Sequence, residues 1–261
     1  MLEAGGGRRE GRRRSASAER EVESGVARYA AGPYGRALRA YADGDREATL
    51  EMWSDLGEHE AIPVEVFFRE PADFFSFEEA ALARCRGRVL DLGAGTGVHS
   101  LALQDRGLEV VAVESDPDAC RILRERGVRH AVRSDAFEFA GGPFDTVLML
   151  MNGAGLAGTL EGLGRLLDHL AELVGPDGRV LVDSADLRPG GARVPFWRRR
   201  DGRYVGEVQI QLGFGGERGE PFPELYVDPD TLAAVAEERA WAARPVLEEE
   251  DGSYLAALTR L

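Results

Sequence analysis

Lysine is absent from this 261-residue chain: all 32 basic side chains are Arg, and 46 Asp and Glu outnumber them for a formal net charge of −14. Nucleic-acid affinity rests largely on cationic contacts to phosphate, so an acidic chain argues against a nucleic-acid partner. Cysteine is scarce. Cys85 and Cys120 are too few for a disulfide framework and lack the paired spacing of a zinc site, so they read as free thiols and no metal is expected. Long apolar runs are missing too. Nothing approaches the roughly 20 residues that cross a bilayer, and the N-terminus lacks the apolar stretch of a secretory signal. The expectation is a soluble, cytoplasmic protein with no membrane partner.

What is present suits a single catalytic domain with additions: 44% of the residues are apolar, and the length allows one large α/β domain plus a modest cap. Residues 1–24, rich in Gly, Arg, Ser and Glu, contain too little apolar surface to offset the entropy of ordering and read as a disordered tail. Residues 25–80 form a cap that reads as helical and aromatic, with Tyr34, Leu38, Tyr41, Leu50, Met52, Trp53, an IPVEVFF run at 62–68 and FFSF at 74–77. Such a cap either covers a binding cleft or packs on a sheet. Residues 81–261 read as the catalytic domain, interrupted by a Gly- and Pro-rich insertion at about 189–227 that carries an alternating strand, VQIQLGF, at 208–214.

Within that domain, strand and helix patterns alternate. RVLDLG (88–93), LEVVAVE (108–114), VRHAV (128–132), FDTVLMLM (144–151) and GRVLVDS (178–184) read as strands, separated by helices over 98–106, from Pro117 to Gly127, and over 159–174. A further helix runs from Pro229 to about Trp241 with Asp228 as its N-cap, and two strands joined at Asp251-Gly252 close the chain. The order predicts an α/β, doubly wound, mostly parallel seven-stranded sheet ending in an antiparallel hairpin.

The sharpest signal is Val89-Leu90-Asp91-Leu92-Gly93-Ala94-Gly95-Thr96-Gly97 at the first strand-to-helix turn. Glycines let a ligand approach the backbone there, and the following helix offers free N–H groups and its positive dipole end. Glu114 ends the second strand, where a carboxylate accepts hydrogen bonds from both ribose hydroxyls of an adenosine. On these residues the chain resembles the class I S-adenosylmethionine-dependent methyltransferase family, whose first motif reads as an apolar pair, an acid, an apolar residue and G-x-G-x-G.

The resemblance implies a Rossmann-like fold with S-adenosylmethionine as cofactor. Gly93, Ala94 and Gly95 would lie against its methionine portion, Asp91 would position the ammonium, Glu114 would bind the ribose and Ser115 would border the adenine. Asp135 and Ala136 would read the adenine, and Met151, at the tip of the fourth strand, would face the methyl-transfer zone. Asn152, next to it, is the candidate to orient an acceptor, although Asn-Gly is also a common turn pair. A nicotinamide-dependent dehydrogenase is the rival reading, but its fingerprint needs a glycine where this chain has Val98.

Methyl transfer from a sulfonium is an in-line displacement that needs alignment and exclusion of water more than acid–base help. No catalytic residue is assigned by spacing; His59, His99 and Glu65 qualify as bases by type alone. Enzymes of the resembled family that methylate exocyclic amines of nucleic-acid bases usually carry two prolines and an aromatic where this chain has Asn152-Gly153-Ala154-Gly155. A small-molecule acceptor is expected, with a protein acceptor and a non-catalytic cofactor-binding protein as alternatives.

Overall fold

The computed structural model describes residues 32–261, so the expected tail at 1–24 and residues 25–31 of the cap lie outside the described residues. From there, α1 (Pro33–Ala42) leads into two strands, β1 (Thr49–Ser54) and β2 (His59–Pro63), two short 3-10 turns (Val64–Phe68, Pro71–Asp73) and α2 (Ser76–Leu82). The helical reading of this stretch is therefore corrected at its centre. In Thr49-Leu50-Glu51-Met52-Trp53 the aliphatic Leu50 and Met52 alternate with Thr49, Glu51 and Trp53, a period of two that suits a pleated, half-buried surface. One pairing partner, β2, is its neighbour in the chain, and the other lies far along it.

Next comes the alternating region: β3 (Arg88–Leu92), α3 (Val98–Asp105), β4 (Glu109–Glu114), α4 (Pro117–Glu125), β5 (Ala131–Arg133), β6 (Phe144–Met149), a 3-10 turn (Gly153–Ala157), α5 (Leu160–Leu173) and β7 (Val174–Ala185). Three strands of the insertion follow, β8 (Glu207–Phe214), β9 (Glu217–Arg218) and β10 (Phe222–Leu225). The chain then forms α6 (Pro229–Glu237), β11 (Trp241–Glu248) and β12 (Ser253–Arg260). α6 stops four residues short of the expected end because Trp241, fully buried, already belongs to β11.

The large sheet has the order β5-β4-β3-β6-β7-β12-β11. β5 through β7 run parallel, while β12 is antiparallel to both β7 and β11, as the sequence predicts. Alternation along each strand feeds two cores. Leu90, Leu92, Val147, Met149 and Val180 pack toward α5 and α6, while Val89, Leu148 and Leu181 pack with α2 and α3. Helix starts are fixed locally: Asp116 accepts the N–H groups of Asp118 and Ala119 at the head of α4, and Asp228 accepts that of Thr231 at the head of α6, each with Pro at the first helical position.

A second, antiparallel sheet has the order β10-β8-β1-β2, with β9 on β8. The N-terminal segment and the late insertion are thus one structure. Met52 faces both Glu60 and Leu212 across its neighbours, and Ile210 faces Phe222. Leu50 and Leu212 join α1 in one apolar cluster, so this face turns toward the body of the molecule.

Candidate active site

Strand order reverses between β3 and β6, and in such sheets ligands bind beyond the carboxyl ends of the strands at that point. The glycine turn after β3 and the Met151-Asn152 tip after β6 meet there. Gly93 and Gly95 adopt φ of +81° and +54°, conformations that side chains resist. A Cβ on Gly93 would stand 3.2 Å from Leu156, and one on Gly95 3.2 Å from the Tyr34 hydroxyl. The turn is a cradle only glycine leaves open, roofed by Tyr34 from α1 and Leu156 from the 3-10 turn.

Glu114 is 8% exposed and sits beside this cradle. Its two oxygens accept the N–H of Gly95 at 2.9 Å and of Asp116 at 2.8 Å. Burial pushes its carboxyl up to about 7 against those hydrogen bonds. Ser115 lies next to it and donates to the same carboxylate at 3.4 Å. Asp91, 2% exposed, is reached by the Ser100 hydroxyl at 2.6 Å; burial raises its pKa, while the nearby His99 and that hydroxyl lower it. Ala94, also buried, is tied by its N–H to the carbonyl of Val113.

Asp135 uses one oxygen to accept the Phe137 N–H at 2.7 Å, which shapes the turn after β5, and Ala136 is half-buried beside it. Met151 and Asn152 both have positive φ, 66° and 57°. For non-glycine residues this costs of order 1–3 kcal/mol and clusters at functional sites. The turn is held by Asp183, whose oxygens accept the Asn152 and Gly153 N–H groups at 3.0 and 2.8 Å and whose carboxyl burial pushes up to about 6.

Several residues at the site carried no signal in the sequence. Glu78, fully buried, lies 2.6 Å from His99 Nε2 and from Arg69 Nη2, and accepts the Phe75 N–H at 2.7 Å. Burial alone would raise its pKa, but these partners hold it below the usual carboxylate range. Arg69 also donates to the Met151 sulfur at 3.2 Å and lies over the Phe75 ring. His99 is thus engaged by a buried carboxylate. His59 stands on β2 paired with Glu51, on the second sheet rather than at the glycine turn. Glu224 of β10 accepts from Asn152 Nδ2 at 2.7 Å, so an acid of the insertion reaches the β6 tip.

Glu114 and the cradle suit an adenosine bearing a short, charged chain. The sheet order, the turn and Glu114 together define a class I S-adenosylmethionine-dependent methyltransferase fold. The model of the methyltransferase domain family matches residues 65–208, and the chain belongs to that family. Among solved structures, an S-adenosylmethionine-dependent methyltransferase from Bacteroides fragilis, complexed with S-adenosylhomocysteine, is 34% identical, superposes with a TM-score of 0.78 and is matched over 88% of this chain and 94% of its own. Cypemycin N-terminal methyltransferase from a Streptomyces species is 34% identical over 163 residues, 59% of this chain but 66% of its own length. Demethylmenaquinone methyltransferase of Thermus thermophilus is 29% identical over 181 residues, covering 64% of this chain and 79% of its own.

Among the described residues no helix is long and apolar enough to cross a membrane.

Proposed function

We propose that the protein transfers a methyl group from S-adenosylmethionine to a small-molecule acceptor in the cytoplasm. The observation that carries this reading is the cradle at the strand-order reversal, where Gly93, Ala94 and Gly95 adjoin the buried carboxylate of Glu114 under a roof made by Tyr34 and Leu156. In this reading the cofactor supplies an activated methyl on sulfur. Glu114 takes the ribose hydroxyls, Ser115 borders the adenine, Asp135 and Ala136 frame its edge, and Asp91 steers the ammonium. Met151 faces the methyl. Water is kept out by the second sheet and α1, which lie over the reacting end.

The same reading assigns 81–261 to the catalytic domain, 25–80 to its cap and about 189–227 to an insertion that closes over the acceptor. Two added segments that pair into one sheet favour an enclosed site, which suits a small molecule. The 34% identity to an enzyme named for an N-terminal acceptor favours a second reading, a peptide.

One experiment separates them. The purified protein is incubated with methyl-labelled S-adenosylmethionine and a whole-cell lysate, and label is recovered above and below a membrane that retains peptides. Label in the small fraction is expected; label confined to the retained fraction would favour the peptide.

A further inference from the structure

The insertion brings one carboxylate, Glu224, to the tip of β6 beside Asn152. Glu224 lies on β10 with its side chain on the face shared by Met52, Glu60, Ile210, Leu212 and Phe222, which is the face turned toward α1 and the β6 tip. Asn152 Nδ2 donates to Glu224 Oε1 at 2.7 Å, and the Tyr226 side chain lies beside this carboxylate. The Asn152 amide has no freedom to turn away. Its oxygen accepts from Ser184 Oγ at 3.2 Å, and Ser184 is itself fixed by accepting the Val227 N–H at 2.9 Å. Flipping the amide would set a donor against Ser184 and an acceptor against a carboxylate.

A neutral donor, Asn152, therefore aims Glu224 with Tyr226 beside it, and among the described residues no Arg or His lies within ion-pair distance of it. The other carboxylates at this end of the sheet are differently employed. Glu78 is paired with Arg69 and bonded to His99, Asp183 is spent on two backbone N–H groups, and Glu114 belongs to the glycine turn. Glu224 alone of these is held only by side-chain donors, with Glu60 adding negative charge on the same face.

We propose that the acceptor is an amine, bound as its ammonium by Glu224 and deprotonated by it, with Asn152 and Tyr226 as positioning residues. This rests on the methyltransferase reading above. Glu224 removes one proton from the ammonium, leaving a neutral amine and a protonated carboxyl. The nitrogen lone pair then forms a bond to the methyl carbon while the C–S bond breaks with its electron pair going to sulfur. The product leaves as a methylammonium, and the carboxyl proton passes to solvent.

An amine fits this carboxylate better than an alcohol does. An alkyl ammonium titrates near 10.4, a gap a carboxyl raised by burial narrows, whereas an alcohol is far too weak an acid for any carboxylate to deprotonate. The ammonium also brings the positive charge that the face lacks.

The test uses the full-length protein, labelled S-adenosylmethionine and a protein-free small-molecule extract as the acceptor pool. Labelled products are sorted by mass spectrometry into methylated nitrogen, oxygen, carbon or sulfur, for the unaltered protein and for Glu224→Gln. Label on nitrogen is expected, with the variant about 100-fold slower at pH 7 by the usual scale of general-base catalysis. Near pH 10, close to the ammonium's own pKa, a substantial share of the free amine is already neutral without help, and the variant should recover much of the rate. S-adenosylhomocysteine should bind the variant unchanged by calorimetry.

Label on another element overturns the amine. A variant as fast as the parent at pH 7 overturns the role of Glu224. A variant slow at both pH values with intact cofactor binding makes Glu224 merely structural. No labelled product from the parent, despite cofactor binding, overturns the small-molecule acceptor on which this proposal rests.

Discussion

At the residue scale the site is governed by buried carboxylates that differ in their partners. Glu114 has its folded pKa raised to about 7 by burial. A raised carboxyl favours the protonated form in the fold, so its ionisation weakens folding as pH climbs from the unfolded value of about 4.3 through 7. Ribose hydroxyls are donors and prefer the ionised form. Cofactor affinity should therefore increase as pH rises through about 7, with proton release on binding, measured by calorimetry in buffers of different ionisation enthalpy; affinity that falls over pH 6 to 8 would contradict this. Glu114→Ala should weaken cofactor binding by about 1.5–3 kcal/mol, the scale of hydrogen bonds to a charged group, while the melting transition stays cooperative.

Glu78 is the opposite case. Its pKa is depressed, so its contribution to stability is present above the unfolded value and lost as pH falls through the folded one. Removing Arg69 leaves this fully buried carboxylate with the His99 ring and the Phe75 N–H as its remaining partners. Arg69→Ala should cost about 3–5 kcal/mol in denaturant unfolding; a loss below about 1 kcal/mol would mean the pair is not buried as described.

At the scale of elements, the glycine turn and the helix starts were legible because each depends on local chemistry. The turn reads out as a strand followed by G-x-G-x-G, and Asp116 and Asp228 are N-caps as residue type and position predict. Gly97 shows why the third glycine matters: a Cβ there would stand 2.6 Å from Leu123 and 2.8 Å from Val128, so Gly97→Ala should destabilise the packing of α3 against α4, read as a lower melting temperature. β1 and β2 were not legible. β1 pairs with β2 beside it but also with β8, about 160 residues later, and no local pattern states that second pairing. Glu224 was missed for the same reason, since only that sheet brings β10 to the β6 tip. His99 was legible only as a base by type, because its partner Glu78 lies on another element.

At the scale of the whole molecule, the two ends of the insertion are tied to each other. Arg188, Asp186, Asp228 and Asp230 form a buried ion-pair cluster beside the head of α6, and the Tyr204 hydroxyl donates to Asp228 at 2.6 Å. The seven-stranded sheet was predictable from the alternation of its elements, whereas the small sheet that roofs it was not. Since β8 pairs with β1 along one edge, a chain shortened to begin at residue 65 should leave β8 and β10 unprotected. Hydrogen exchange at 207–225 would then rise to loop-like rates while β3, β4 and β6 remain slow. Retained protection would mean the insertion folds without the N-terminal strands.

The most direct test of this molecule as a methyl-transfer protein is a parallel calorimetric titration of the full chain with S-adenosylmethionine, S-adenosylhomocysteine and NAD. Saturable binding of both sulfur nucleosides with none for NAD is the expected result. Binding of NAD alone would contradict it and make the glycine turn that of a dehydrogenase.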